Sequence, residues 1–327
     1  MSRFSYITSL CHSRSFGIAA AIVAVAALTF YFINGYATPL EGDHGTAFPS
    51  ANEWISIPWV NFIAAFSGGA ATIVAMLLLN KIYNVLRSMT SLYIALFAFM
   101  LMAQPDYSTQ FYSGTLLAIV IPACVILLFG CYRAPGTMRR VFLIFMLLSA
   151  FASTQYCFAL YIPAFLAGCA QMRIFGGRAF VAALLGIITP WWLMFGFGII
   201  TPADITTPHF SSIFSNSAPA DTIPLLVAVG FTALVLLLSF ILNFIKTIAY
   251  NAQARAYNGT FVLISITTVV AMIADYNNMT SYLPMLSFCA AMEATHYFST
   301  HRAEKSSIAI FTLLAVYAAL FACQTII

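Results

Sequence analysis

The sequence predicts an all-α membrane protein, a polytopic bundle of about eleven transmembrane helices. Of its 327 residues, 62% are hydrophobic and only 7% are charged, and the mean hydropathy is +0.95. Soluble domains carry about 25% charged residues, so this composition cannot cover a water-facing surface. It excludes a soluble enzyme, a disordered chain and a disulfide-stabilised secreted domain. We interpret residues 1–327 as a single integral membrane domain.

Eleven apolar segments follow one another along the chain. A helix needs about 20 apolar residues to cross about 30 Å of hydrocarbon, and the fifth and sixth segments are shorter than that. Residues 141–172 are therefore either two thin spans or a re-entrant hairpin, which would leave nine full spans. The eleven segments are Phe16–Ala37, Trp59–Asn80, Thr90–Ala103, Phe111–Cys131, Val141–Ser153, Cys157–Gln171, Ala179–Ile200, Ile223–Ile245, Gly259–Ala274, Met279–Phe298 and Ile308–Cys323.

The charged residues predict the orientation of the bundle. If all eleven segments cross, every one of the 13 Lys and Arg residues falls on one side, and 7 of the 9 Asp and Glu residues fall on the other. Because positive charge concentrates in cytoplasmic loops, we expect the N-terminus inside and the C-terminus outside. A re-entrant hairpin would not change this orientation. The first segment exceeds the roughly 7–15 apolar residues of a signal peptide, so it is predicted to be a retained helix.

Two predicted external loops, at about 38–58 and about 201–222, carry most of the outer acids. The first contains Glu41, Asp43 and His44, which are candidate catalytic residues. A carboxylate can act as a general base beside an electrostatic partner, or carboxylates and an imidazole can bind a divalent cation. The alternative is that the acids only keep the loop solvated. The second loop, with Asp204, His209 and Asp221, is predicted to cap the outer face.

Glu293 and His296 form a candidate intramembrane polar site. Glu293 lies within the tenth apolar segment, where a carboxylate is costly unless it has a partner and is therefore a functional candidate by default. His296 follows at i+3, close enough on a helix to pair with it. The two residues are either a structural pair or a proton or substrate site within the bundle.

Other features are interpreted as architectural. Five arginines on the predicted cytoplasmic side form a basic cluster that either binds a phosphate headgroup or only sets the topology. They are Arg133, Arg139, Arg140, Arg173 and Arg178. Four prolines are expected to bend their helices and to leave carbonyl groups that need other partners. They are Pro122, Pro163, Pro190 and Pro284.

The central third of the chain resembles an uncharacterised family of polytopic inner-membrane proteins from Bacteroidota. The resemblance covers about Phe111–Phe197. It rests on Arg139-Arg140, then Phe151–Tyr156 and Tyr161–Pro163, then Arg173 and Arg178, and finally Gly186–Trp192. It implies a bacterial inner-membrane location. The same arrangement is similar, more loosely, to membrane glycosyltransferases of the GT-C type and to O-antigen polymerases.

The GT-C resemblance implies an enzyme of envelope glycan or lipid-linked sugar assembly, with its catalytic acid in the first external loop. Glu41 and Asp43 occupy that place, but the predicted outer face has no Arg or Lys to hold a lipid diphosphate. A transporter or lipid flippase that uses Glu293, and a non-catalytic scaffold or accessory subunit, are the alternatives. The expected partners are the lipid bilayer and a lipid-linked substrate, not nucleic acid. No cofactor is indicated beyond a divalent cation.

Overall fold

The computed structural model describes residues 13–37, 45–86, 89–134, 137–207, 210, 223–247, 252–300 and 303–326. These ranges contain helices and no strand. The α-helices are α1 Arg14–Ile33, α2 Pro58–Tyr83, α3 Thr90–Met102, α4 Pro105–Ser108, α5 Ser113–Phe129, α6 Thr137–Ala152, α7 Ile162–Gln171, α8 Gly177–Gly196, α9 Ile223–Thr247, α10 Ala252–Ala274, α11 Leu283–Thr300 and α12 Ala303–Ile326. Short 3₁₀ helices occupy Ala51–Glu53, Tyr156–Tyr161, Pro202–Asp204 and Tyr276–Tyr282.

The chain is a helical membrane protein. Within the described ranges, six helices are long and apolar enough to cross a bilayer, namely α1, α2, α8, α9, α10 and α12. Their apolar side chains face outward in large numbers, as Ile22, Ile63 and Leu237 do with more than half of their surface exposed. Lipid tails are the solvent that suits such a surface. Each of the eleven predicted segments overlaps one of the helices of ten residues or more, whereas the short α4 was not predicted.

Helix α11 lies at the centre of the bundle. Every residue from Ser281 to His296 is buried, and α11 packs against α3, α5, α9 and α10. A helix that is buried on all sides needs no polar face. Polar side chains on α11 therefore face other helices, where each must find a protein partner, a water or a ligand.

Contacts between helix ends define two ends of the bundle. At the first, which we call the basic end, the rings of Tyr83, Phe129 and Tyr257 from α2, α5 and α10 lie within 5.5 Å of one another. At the opposite acidic end, Tyr31 donates to Asp106 at 2.8 Å, and Ser113 and Ser281 bond at 2.9 Å. These contacts join helix ends that the predicted alternation places on one side.

The segment from α6 to α7 forms two consecutive helical arms. Helix α6 is 16 residues long and about 24 Å in extent. The following 3₁₀ helix and α7 together extend about 27 Å, because a 3₁₀ helix rises about 2.0 Å per residue. At their junction, the Thr154 carbonyl accepts a bond from the Thr46 amide in the first loop. Near the end of α7, Gln171 meets Thr260 of α10 at 3.3 Å, toward the basic end.

The prolines fall into two groups. Pro122 and Pro190 lie inside α5 and α8, as predicted. The carbonyl of Ala118, which Pro122 leaves without its helical donor, lies 3.1 Å from the Thr72 hydroxyl of α2. Pro163 and Pro284 instead stand in the first turns of α7 and α11. A bend at these two positions was therefore a wrong prediction. The amide nitrogens in the first turn of a helix have no partner within the helix, so a proline there removes no helical hydrogen bond.

Candidate functional site

Glu293 is fully buried in α11, and its partner comes from α9. The side-chain amide of Asn243 donates to one carboxylate oxygen at 2.7 Å and to the Glu293 backbone carbonyl at 2.9 Å. The other carboxylate oxygen, Oε1, has no hydrogen-bond partner among the described residues. An amide carries no charge, so it cannot neutralise a carboxylate. Burial without a charged partner makes the ionised form of this acid costly. Gain or loss of a proton here therefore changes the local energy strongly.

Two further buried polar atoms belong to helices that pack against α11. They are the hydroxyl oxygens of Tyr93 on α3 and Ser265 on α10. Each lies beside Cys289, which is one helical turn before Glu293 on α11 and interacts with it electrostatically. Buried polar atoms without partners are rare and usually mark a water, an ion or a ligand. Glu293 Oε1 and the Tyr93 hydroxyl oxygen are two such atoms among the described residues.

His296 lies one turn beyond Glu293, toward the basic end. Its Nδ1 atom is 3.3 Å from the carbonyl oxygen of Val85. Its ring also lines a cavity of about 90 Å³ together with Tyr83, Asn84, Tyr257 and Asn258. The structure therefore places Glu293 and His296 on one helix but gives them different partners, Asn243 for the first and Val85 for the second.

A second buried carboxylate, Asp275, lies at the acidic end. Tyr156 and Tyr282 donate to its Oδ2 atom at 2.6 and 3.0 Å, and Asn278 donates to Oδ1 at 3.0 Å. Asp275 is fully buried, while Tyr156 and Asn278 are partly exposed. Sequence reasoning counted Asp275 only as an external acid. Its place directly after an apolar segment was the available signal, but its partner Tyr156 lies 119 positions away in the sequence.

Two other described acids, Asp204 and Asp106, hold local structure. The Asp204 carboxylate accepts from the Thr201 amide at 2.6 Å and from the Thr201 hydroxyl at 2.9 Å, which completes a capping box. These bonds hold the pKa of Asp204 below its ordinary value. Asp106 accepts from Tyr31. The candidates Glu41, Asp43 and His44 of the first loop lie outside the described residues, as do His209 and Asp221 of the second.

The five arginines differ in their surroundings. Arg133, Arg139, Arg173 and Arg178 are exposed, whereas Arg140 is partly buried and donates to the carbonyl of Gly130 at the end of α5. Arg133 lies 5.5 Å from the ring of its neighbour Tyr132. A phosphate-binding role for this cluster stays a prediction.

No group of three His, Cys, Asp or Glu side chains within the described ranges is arranged as metal ligands. Comparison with protein-family models, with curated proteins and with solved structures finds no match to this chain. The resemblance to the Bacteroidota family and to GT-C enzymes therefore stays a prediction.

Proposed function

We propose that this chain is a multi-span transporter of a bacterial inner membrane, in which Glu293 binds and releases a proton during transport. One observation carries the proposal: a fully buried carboxylate on the central helix has a neutral amide as its partner and one unpaired oxygen. A purely structural acid would be expected to have a cation or several donors, as Asp275 has three. A carboxylate that changes protonation has to tolerate both states, and a single amide donor permits that.

The surroundings of Glu293 support the same function. The carboxylate binds Asn243 of α9 and lies one helical turn from the buried Cys289. Acids that face the interior of a membrane bundle are typical of proton relays and substrate pathways. The GT-C hypothesis gains no such support, because its candidate acids Glu41 and Asp43 lie outside the described residues.

We also propose eleven crossings with the N-terminus inside. The contacts at the two bundle ends support this count, because they join the helix ends that an alternating path brings together. Exposed Glu53 then lies outside the cell and exposed Arg178 inside. In a variant without the native cysteines, a membrane-impermeant maleimide added to intact cells should label Glu53→Cys and leave Arg178→Cys unlabelled. The opposite labelling pattern would reverse the orientation.

Transport is tested in proteoliposomes on a solid-supported membrane. Currents are recorded for sugars, amino acids, short peptides and phosphorylated compounds under an imposed pH gradient, with wild type, Glu293→Gln and Glu53→Gln compared. Glu53 is an exposed acid outside the bundle, so its replacement controls for the loss of one negative charge. We expect a compound class that gives a current in the wild type and in Glu53→Gln but not in Glu293→Gln. Equal currents in all three proteins would contradict a role for Glu293.

A further inference from the structure

A groove of about 380 Å³ lies between α9 and α10 on the outside of the bundle. Gly230, Ala233 and Phe240 line it from α9, and Ser265 and Val270 line it from α10. Both helices pack on the central helix α11, and α9 packs chiefly there, so a gap stays open between α9 and α10. Gly230 widens the gap, because no atom lies within 4 Å of the place where its side chain would begin.

The chemistry of the groove is almost entirely apolar. Leu236 and Ser265 are buried at its floor, whereas Leu237 and Val270 stand at its rim with 54% and 56% of their surface exposed. Ser265 is the one polar side chain among the described residues that line the groove. Apolar cavities do not hold water, and folded proteins leave few voids larger than a water molecule. The groove therefore suits a hydrocarbon occupant.

The depth of the groove in the membrane identifies the source of that hydrocarbon. Gly230 and Phe240 each lie seven residues, or about 10 Å, from an end of the 25-residue helix α9. The groove thus lies within the hydrocarbon layer, which is about 30 Å thick. It is also continuous with the lipid-facing surface of α9, where Leu234 and Leu238 are half exposed. Lipid tails reach this depth, whereas their headgroups do not.

We propose that this groove binds one acyl chain of a bilayer phospholipid. Hydrophobicity does not hold the chain there, because the surrounding lipid tails are equally apolar. The groove contacts a chain on several sides at once, so the chain gains more dispersion contacts than it would on a single helix face. The inference is independent of the transport proposed above. It adds a lipid beside Phe240, which precedes Asn243 by one helical turn.

Two substitutions fill the groove from opposite walls. Ala233→Trp adds an indole ring from α9, and Val270→Trp adds one from α10. The matched control is Ala26→Trp, because Ala26 is an exposed alanine in the middle of the apolar helix α1. The control adds the same ring to the lipid-facing surface but leaves the groove open.

The experiment maps lipid contacts on the full-length protein in vesicles of phosphatidylethanolamine and phosphatidylglycerol. A trace of phosphatidylethanolamine carries a photoreactive diazirine in the middle of one acyl chain. After irradiation and digestion, mass spectrometry locates the attached lipid. We expect attachment concentrated at residues 230–240 and 265–270 in the wild type and in Ala26→Trp. We expect this attachment to be lost in Ala233→Trp and in Val270→Trp.

Three results would overturn the proposal. The first is wild-type attachment spread evenly over the exposed faces of all the membrane helices, which would indicate general contact with the bilayer. The second is attachment in the groove that persists in both filled variants or is lost equally in Ala26→Trp. The third is a groove without attached lipid in a dimer that the filled variants separate, which would make a second copy the occupant. Thermal unfolding identifies a variant that fails to fold; the other variant and the wild-type map then carry the test.

Discussion

The amide of Asn243 binds Glu293 twice, once at the carboxylate and once at the backbone carbonyl, although the two residues are 50 positions apart. This double contact fastens α9 to the central helix at the level of the buried acid. It also orients the carboxylate, so that one oxygen accepts from the amide and the other has no hydrogen-bond partner among the described residues.

Replacing Asn243 with Leu should destabilise the protein by about 1–3 kcal/mol, because the Glu293 carboxylate then loses its donor in a buried place. In a Glu293→Leu background the same replacement should cost less, since the carboxylate is gone and only the backbone carbonyl of residue 293 remains as an acceptor. Denaturant unfolding of the single variants and the double variant in detergent measures this coupling. Additive effects would show that the bond contributes nothing of its own.

Gly186 allows α8 to pack directly on α6. A methyl group at this position would lie 2.6 Å from the backbone oxygen of Phe142 and 3.1 Å from the backbone nitrogen of Met146. Gly186→Ala should therefore push the helices apart and cost about 1–3 kcal/mol. Gly230, inside α9, has no atom within 4 Å of the same position. Gly230→Ala should thus be neutral or slightly stabilising in the same unfolding assay.

The capping box at Thr201 and Asp204 should respond to pH. The pKa of Asp204 in the folded protein lies below its ordinary value of 3.8. The cap is therefore fully present above that value and is lost as the pH falls through the lowered pKa. Asp204→Ala should speed hydrogen exchange at the Thr201 amide near neutral pH and change the melting temperature little, because the carboxylate is fully exposed. The difference from wild type should vanish in acid. A difference that persists there would assign the protection to another group.

The first loop separates the transporter from the GT-C hypothesis. If the chain is a transporter, replacing Glu41 and Asp43 together with Ala should leave the profile of surface glycans unchanged in the producing bacterium. Electrophoresis of extracted glycans from wild-type, variant and deletion strains makes the comparison. Loss of a glycan in both the variant and the deletion strain would favour the enzyme, whereas loss only in the deletion strain fits transport of a precursor.

Hydropathy located the helices because each needs only its own apolar residues. It did not identify the partners of the polar groups inside. Asn243 lies in a segment read only as an apolar span, and Tyr161 and Thr268 are 107 positions apart. Such pairs depend on how each helix is rotated about its axis and on which helices are neighbours. Several arrangements of the helices are compatible with the same hydropathy pattern. The sequence of a single segment therefore does not determine which polar partners it meets. Glu293 was identifiable because a lone acid in an apolar run is costly wherever its helix packs.

The enclosure of α11 has a consequence for how the protein is made. This helix is next to last in the chain, and it carries Glu293 and His296 into the interior. While the ribosome is still producing it, the helices already in the bilayer surround an unfilled space, and the inward faces of α3, α5, α9 and α10 have no permanent neighbour. Assembly therefore finishes late and all at once. A nascent chain arrested before α11 would be a natural target for membrane quality-control proteases.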